Sequence, residues 1–246
     1  MRPFKVLVLE KCFAKFMGSY AALEGGLPLF AMHIITGDEC LHWSLVGQTN
    51  RWECKNLEPF VRAIDGKTVR KCGLRGTGES ITTDDLFTLT CKYVDEKCPL
   101  GAGSKGTDNT LTEGRGANST GIVPGHAYSV LACLEVMGQR LIQLRNPWGR
   151  FEWSGEWSKG CDLWEKNPRV KEACNAASPE CGKGTFWMPF SKFGEIFDMF
   201  DVCVKKIGMG DLKLQARSTP FQPPFLTPFY TRDSNPHFNA TLPPGE

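Results

Sequence analysis

One histidine and one asparagine in this sequence have neighbours that suit acid–base chemistry. His126 opens a run of alternating apolar residues, and Asn146 follows a second such run, with a turn between the runs at Met137, Gly138 and Gln139. Because the second strand of a hairpin returns beside the first, this order predicts that the two side chains lie close together. An asparagine amide can accept the N–H of an imidazole, which leaves the other ring nitrogen free to take a proton from a thiol.

This pair fits a hydrolase with a cysteine nucleophile, in which a histidine takes the thiol proton and a third group orients the histidine. Trp148, two residues after Asn146, could shield their hydrogen bond from water. A structural role fits the same residues, because a lone histidine at a strand start is commonly structural and Asn-Pro-Trp-Gly is a plausible turn. Spacing alone leaves both interpretations open.

None of the 11 cysteines has surroundings typical of a nucleophile. No two of them form a Cys-x-x-Cys pair, which argues against a structural zinc site. Cys12 is predicted to lie in the core, in the middle of a helix and on its apolar face, and Cys133 is predicted to pack within a strand. The odd number of cysteines and the absence of a signal-peptide pattern predict reduced thiols in a cytoplasmic protein.

Charge and hydropathy argue against two further classes of protein. The 29 Lys and Arg residues nearly balance the 27 Asp and Glu residues, for a formal net charge of +2, whereas electrostatic binding of nucleic acid needs a basic face. The apolar run at residues 6–9 is far too short for a membrane span. We therefore expect neither nucleic-acid partners nor a membrane span.

The first half of the chain has mixed signals. Apolar spacing predicts an amphipathic helix over residues 6–22, and residues 27–50 are predicted as short irregular elements. Thr83 or Asp84 could cap a second short helix, although the threonine content also allows a strand. A long loop rich in glycine is predicted at residues 99–121.

The second half is predicted to be rich in strands. Residues 126–136 and 140–145 form the hairpin described above, with five side chains of the first strand on one face: Tyr128, Val130, Ala132, Leu134 and Val136. Residues 186–188 predict another strand. The apolar residues at 193, 196, 197 and 200 predict one face of a short helix, and residues 202–204 a closing strand.

Several motifs in this order resemble the catalytic domain of the calpain cysteine proteases. Gly-His-Ala-Tyr-Ser at residues 125–129 and Arg-Asn-Pro-Trp-Gly at residues 145–149 match that family's sequence. Glu-Trp-Ser-Gly-Glu-Trp-Ser at residues 152–158 is similar to its Glu-Trp-Thr-Gly-x-Trp-Ser, and residues 186–188 are similar to its Phe-Trp-Met strand. Gly-Ser-Tyr-Ala-Ala-Leu-Glu-Gly-Gly at residues 18–26 resembles the helix that opens the second half of the domain.

The resemblance implies an α+β protein with a papain-like cysteine protease fold. This chain would hold the β-rich, antiparallel second subdomain with an N-terminal helix, over residues 1–206 and with its best-matched core at residues 121–205. Seven of the 16 prolines lie between Pro220 and Pro244, so residues 207–246 are predicted to form an extended or disordered tail. The family is one of intracellular endopeptidases, which implies protein substrates.

The resemblance also implies roles for three residues: His126 as general base, Asn146 as its orienting partner and Trp148 as the shield. The family's nucleophile lies upstream of the first matched helix, in a Gln-x-x-x-Gly-x-Cys-Trp segment. No cysteine in this sequence is followed by tryptophan. We therefore expect that the nucleophile and the oxyanion-hole glutamine are absent, as in a truncated or split chain, and that the N-terminal catalytic half is a required partner.

Calcium is expected for the family, but its site looks degraded in this sequence. Glu152 is the only family calcium-site carboxylate that remains, since Lys159, Lys183 and Thr185 occupy positions near which the family has acids. Calcium needs several oxygen ligands with enough negative charge, and two lysines oppose its binding. We therefore expect no metal site in this half.

Two other functions remain open. A non-catalytic calpain-like module, or an inactive fragment, could use the fold for protein interaction, with the Pro-rich tail as a docking segment. The Gly-x-Gly-x-x-Gly match at residues 101–106 could indicate nucleotide binding, but no apolar helix follows it, so the phosphate-binding context is missing.

Overall fold

One antiparallel sheet of eight strands carries the fold. The computed structural model describes residues 3–17, 19–23, 26–64, 67–107, 118–175 and 183–204, and the predicted tail at residues 207–246 lies outside them. The strands are β1 (Glu39–Leu45), β2 (Arg51–Ile64), β3 (Lys67–Thr82), β4 (Leu100–Ser104), β5 (Ala127–Val136), β6 (Gln139–Arg145), β7 (Thr185–Pro189) and β8 (Phe197–Val204). Their order is β3-β2-β1-β8-β4-β5-β6-β7.

Six α-helices accompany this sheet in the part of the chain that the structure describes. They are α1 (Pro3–Met17), α2 (Pro28–Thr36), α3 (Thr83–Asp95), α4 (Leu163–Lys166), α5 (Pro168–Ala173) and α6 (Phe193–Ile196), with 3₁₀ turns at Ala21–Leu23 and Phe190–Lys192. The prediction of an α+β protein with antiparallel strands and an N-terminal helix is confirmed. No helix in the described ranges is both long and apolar enough to cross a bilayer.

The main core lies between α3 and the central strands. Aromatic side chains from distant parts of the sequence meet there, with Trp52 stacked on Phe193 and Phe193 stacked on Phe197 at centroid distances of 5.9 and 4.9 Å. A second cluster on the opposite face gathers Trp157, Trp164 and Trp187. Burial of such large rings contributes most of the apolar stabilisation.

Helix α3 settles the choice between helix and strand after β3. Thr82 accepts a hydrogen bond from the Asp85 N–H at 3.2 Å, and the Asp85 carboxylate accepts one from the Thr82 N–H at 3.0 Å. This reciprocal capping box satisfies two amides at the helix start. The cap is therefore Thr82 rather than the predicted Thr83 or Asp84.

The predicted hairpin is confirmed as β5 and β6, but the prediction that five alternate side chains of β5 share one face is wrong. The pairing shifts between Val130 and Ala132, so the exposed Leu131 forms a β-bulge. Before the bulge, Tyr128 and Val130 face the main core; after it, Cys133 does, while Ala132, Leu134 and Val136 pack on the second cluster.

The predictions for the start of the chain need correction. Helix α1 ends at Met17 rather than at residue 22, and Cys12 is exposed rather than in the core. Among the α1 residues whose side chains the structure describes, Ala14 is the buried one. Residues 27–50, predicted as irregular, contain α2 and β1, because Pro28 suits the first turn of a helix and Gly37 ends it in a left-handed conformation.

Two further elements differ from prediction. The predicted loop at residues 99–121 begins with β4, a buried central strand, and residues 108–117 lie outside the described residues. Gly101 and Gly103 have no side chains, so β4 lacks the alternation of apolar and polar residues that predicts a strand. A side chain at Gly103 would overlap Met199 on β8. The predicted helix at residues 193–200 is one short helix, α6, followed by β8, which contains Phe197 and Phe200.

Candidate active site

The β5–β6 hairpin brings His126 and Asn146 into contact. His126 lies immediately before β5 and Asn146 immediately after β6, so the two residues occupy the same end of the hairpin. The His126 Nε2 and Asn146 Oδ1 atoms are 3.0 Å apart. Asn146 is fully buried, whereas His126 is half-buried. The predicted pair is therefore assembled within this chain.

Neighbouring hydrogen bonds define the protonation pattern of this pair. The Trp148 N–H donates to Asn146 Oδ1 at 3.0 Å, and the Asn146 amide nitrogen donates to the Phe151 carbonyl at 3.4 Å. The atom facing His126 is thus an acceptor, and Nε2 must carry the hydrogen that it receives. The lone pair of the neutral imidazole then lies on Nδ1, which is the basic atom of the ring.

Trp148 covers the imidazole. The ring centroids of His126 and Trp148 are 4.2 Å apart at an interplanar angle of 44°. Trp148 is itself 41% exposed, and the Arg150 guanidinium lies 6.0 Å from its ring centroid. The indole therefore packs on the imidazole of His126 while part of its own surface stays exposed.

A buried serine holds the backbone of His126. The His126 N–H donates to Ser104 Oγ at 3.0 Å, and the Ser104 N–H donates to the His126 carbonyl at 3.0 Å. Ser104 Oγ in turn donates to the Val123 carbonyl at 2.6 Å, while the Val123 N–H donates to the Tyr128 hydroxyl at 2.9 Å. Sequence analysis missed Ser104 because it lies in the segment predicted as a loop.

A glycine supports the Asn146 side of the site. The Asn146 N–H donates to the Gly184 carbonyl at 2.8 Å, and Gly184 has a φ of +84° that favours glycine. A Cβ at Gly184 would lie 2.5 Å from the Asn146 carbonyl oxygen and 2.8 Å from the Gly149 Cα. The Gly184 N–H donates to Glu152 Oε1 at 2.8 Å, so this carboxylate joins two loops beside the site.

No metal-binding cluster accompanies Glu152. Within the ranges that the structure describes, no group of three or more His, Cys, Asp or Glu side chains is arranged to hold a metal ion. Lys183 lies directly before Gly184, and its Cβ is close to Gly149. Its positive charge therefore belongs to the same loop as the Gly184 N–H that Glu152 binds. Among the residues that the structure describes, the side chains around Glu152 therefore do not form the oxygen-rich cluster that calcium needs.

None of the nine cysteine side chains that the structure describes forms a disulfide. They belong to Cys12, Cys40, Cys54, Cys91, Cys98, Cys133, Cys161, Cys174 and Cys203. Cys133 is buried in the main core, as predicted. Burial raises the pKa of Cys174 to about 12, which keeps that thiol protonated and unreactive at neutral pH.

Comparison with known proteins gives one family over most of the chain. Residues 2–204 match the family model described as "Calpain family cysteine protease". The chain is 33% identical to the calpain-type cysteine protease DEK1 of Arabidopsis thaliana over 200 residues, which is 80% of this chain and 8% of that protein. It is 30% identical to calpain-9 of Rattus norvegicus, over 80% of this chain and 24% of that protein. The chain thus spans a quarter or less of these relatives.

Proposed function

This chain belongs to the calpain family of cysteine proteases, and we propose that it supplies the base and the orienting amide of a papain-like Cys-His-Asn endopeptidase. The contact that supports the proposal is the 3.0 Å hydrogen bond between His126 Nε2 and the buried Asn146 Oδ1. In this arrangement Nδ1 is the ring nitrogen that would take the proton of the nucleophilic cysteine thiol.

In the proposed mechanism, His126 moves a proton twice. Nδ1 takes the proton of a cysteine thiol as the sulfur attacks a peptide carbonyl, and then gives that proton to the leaving amine as the thioester forms. A water then hydrolyses the thioester, again with His126 as base. Asn146 Oδ1 holds the ring throughout, because it accepts the Nε2–H whether the imidazole is neutral or charged.

The nucleophile in this proposal comes from a segment that this sequence does not contain. The Cys-Trp segment that the family resemblance calls for has no match in the 246 residues. The relatives are also several-fold longer than the matched region. We therefore propose that the partner of this half is the N-terminal, cysteine-bearing half of a calpain catalytic domain, and that protein chains are the substrates.

A fusion tests this proposal directly. We expect the chain alone to cleave no casein, and the same chain fused behind the cysteine-bearing half of a calpain catalytic domain to cleave it. The fused protein should also react at the introduced cysteine with an epoxide that alkylates activated thiols. His126→Ala should lower the cleavage rate by about 10²–10⁴-fold, since general-base catalysis is worth that much. His33→Ala on α2, a half-buried histidine bonded to the Asp38 carbonyl, is the matched control and should retain activity.

Two results would contradict the proposal. Cleavage by the isolated chain that His126→Ala abolishes would show that the nucleophile lies within these 246 residues. A fused protein that unfolds cooperatively, and is therefore folded, but neither cleaves casein nor reacts with the epoxide would instead favour a non-catalytic interaction module.

We also propose that this half binds no calcium. The carboxylate that the family resemblance assigns to the site, Glu152, is occupied by the Gly184 N–H at 2.8 Å, and Lys183 adjoins it. We expect micromolar calcium to leave the melting temperature of the chain unchanged, since only a ligand that binds the folded state raises it. Magnesium at the same concentration is the control. A rise in melting temperature with calcium alone would overturn this proposal.

A further inference from the structure

The turn that leads into His126 is anchored at both ends by one buried hydroxyl. Ser104, the last residue of β4, is 2% exposed. Its Oγ accepts the His126 N–H at 3.0 Å and donates to the Val123 carbonyl at 2.6 Å. A serine hydroxyl has one hydrogen to donate and two lone pairs that accept, so Oγ makes both bonds at once. The first and last residues of the turn at residues 123–126 are therefore held by a single atom.

A second buried hydroxyl, that of Tyr128, holds the same turn from β5. The Tyr128 hydroxyl accepts the Val123 N–H at 2.9 Å. Tyr128 and Val123 are both buried, so the backbone polar groups of Val123 depend on these partners rather than on water. The Tyr128 ring also meets the His126 ring edge-on, with the centroids 5.2 Å apart at an interplanar angle of 81°. Both hydroxyls thus bind Val123, three residues before His126.

The middle of the turn is held by the residue that follows β4. The Gly125 N–H donates to the Lys105 carbonyl at 3.2 Å. Lys105 is itself fixed to α6, because its N–H donates to the Ile196 carbonyl at 2.8 Å and its Nζ donates to the Gly194 carbonyl at 2.7 Å. The backbone of His126 is therefore placed by β4, β5 and α6 together.

We propose that Ser104 and Tyr128 are positioning residues for His126 and that they act as one unit through Val123. The proposal rests on the proposed function, since that reaction defines where the imidazole must stand. Asn146 selects the ring nitrogen that carries the hydrogen, whereas the two hydroxyls fix the place of the ring. Proton transfer from a thiol to Nδ1 needs hydrogen-bond distance, so a displaced ring lowers the rate more than the affinity for substrate.

Two single variants of the fused protease test the positioning role. Ser104→Ala removes both bonds at Oγ, and Tyr128→Phe removes the hydroxyl while the ring stays. Each should lower kcat by about 10- to 10²-fold, since a misplacement of about 1 Å causes a loss of that order. KM should change by less than about three-fold, because neither buried side chain touches substrate. The double variant should lose little more than the worse single variant, since both act through Val123.

Thr90→Val is the matched control for the loss of a buried hydroxyl. Thr90 lies on α3, is fully buried and donates its hydroxyl to the Leu86 carbonyl at 2.7 Å. The variant therefore removes a buried hydrogen bond in a different part of the fold, which lowers stability without moving the imidazole. We expect its kcat to stay within about two-fold of that of the unsubstituted fused protease.

The isolated 246-residue chain gives a second measurement, which needs no activity. The rings of Trp148 and Tyr128 have their centroids 4.2 and 5.2 Å from that of the imidazole. Aromatic ring currents make the proton shifts of the His126 ring sensitive to its position between them. We expect these resonances to move in Ser104→Ala and Tyr128→Phe and to keep their place in Thr90→Val. Because the chain has four histidines, His126→Ala assigns the resonances.

Four results would overturn the proposal. Unchanged kcat in both single variants would show that the hydroxyls do not serve catalysis, and Tyr128→Phe decides this if Ser104→Ala does not fold. An equal loss of kcat in Thr90→Val would assign the effect to stability. Fully additive losses in the double variant would show that the hydroxyls do not act as one unit. Unmoved His126 resonances would show that the ring keeps its place. The resonances decide the positioning role even if the unsubstituted fused protein is inactive, a result that contradicts the proposed function alone.

Discussion

Asn146→Ala is expected to remove most of the activity of the fused protease, by about 10²–10⁴-fold in kcat. The variant removes the Oδ1 acceptor, and with it the hydrogen bond that favours the hydrogen on His126 Nε2, so we expect the basic nitrogen to be less confined to Nδ1. The ring nitrogen shifts in the ¹⁵N spectrum of the isolated chain report the tautomer directly. They should show the Nε2–H form in the unsubstituted chain and a mixture in the variant.

The same variant should destabilise the fold, and two controls separate the effects. Loss of the amide leaves the Trp148 N–H and the Phe151 carbonyl without their partner, at about 2–4 kcal/mol in total. Asn50→Ala, at an exposed position, should change the unfolding free energy by less than about 0.5 kcal/mol. Asn146→Asp retains an oxygen acceptor and should keep the Nε2–H tautomer. An unchanged tautomer in Asn146→Ala would contradict the orienting role.

Gly121→Ala is expected to lower the unfolding free energy by about 3 kcal/mol or more. Gly121 has a φ of +86°, which costs an alanine about 1–2 kcal/mol. In addition, its Cβ would overlap the backbone carbonyl oxygen of Glu152, which cannot move aside as a side chain can. The Ser154 N–H donates to the Thr120 carbonyl at 3.0 Å, so the two loops are already held together.

Gly138→Ala is the matched control for Gly121→Ala. Gly138 has a φ of +73° in the β5–β6 turn, but nothing lies within 4 Å of the position that its Cβ would take. Alanine there should cost only the conformational term of about 1–2 kcal/mol. Urea denaturation of both variants measures the difference. Equal midpoints would show that the contact between Gly121 and Glu152 is not constraining.

Sequence alone located the pair at the centre of the candidate site. A two-part apolar alternation with a Met-Gly-Gln turn predicts a hairpin, and a hairpin necessarily joins its two ends, so His126 and Asn146 follow from local pattern. Helix α3 was less certain, because threonines fit strands and helix caps equally well. The capping box between Thr82 and Asp85 distinguishes the two, because it stabilises a helix start, and it is visible only in the three-dimensional structure.

The rest of the site depends on contacts between distant segments. Ser104 supports His126 only because β4 lies beside β5 in the sheet, and the glycines of β4 masked its alternation. Cys12 was assigned to the core from helical periodicity, yet periodicity states only which residues share a face. Whether that face is covered depends on what packs against it, and Cys12 is exposed. No strands were predicted for residues 51–82, where the structure has β2 and β3.

The bulge at Leu131 divides β5 into two parts whose side chains pack against different clusters. Upstream of the bulge, Tyr128 and Val130 pack in the main core near the candidate pair. Downstream of it, Ala132, Leu134 and Val136 pack on the tryptophan cluster of the other face. Removing one residue would turn every later side chain to the opposite face, whereas exchanging the exposed leucine for another residue would not. We therefore expect related sequences to vary in the residue type at position 131 but to keep the number of residues between His126 and Asn146.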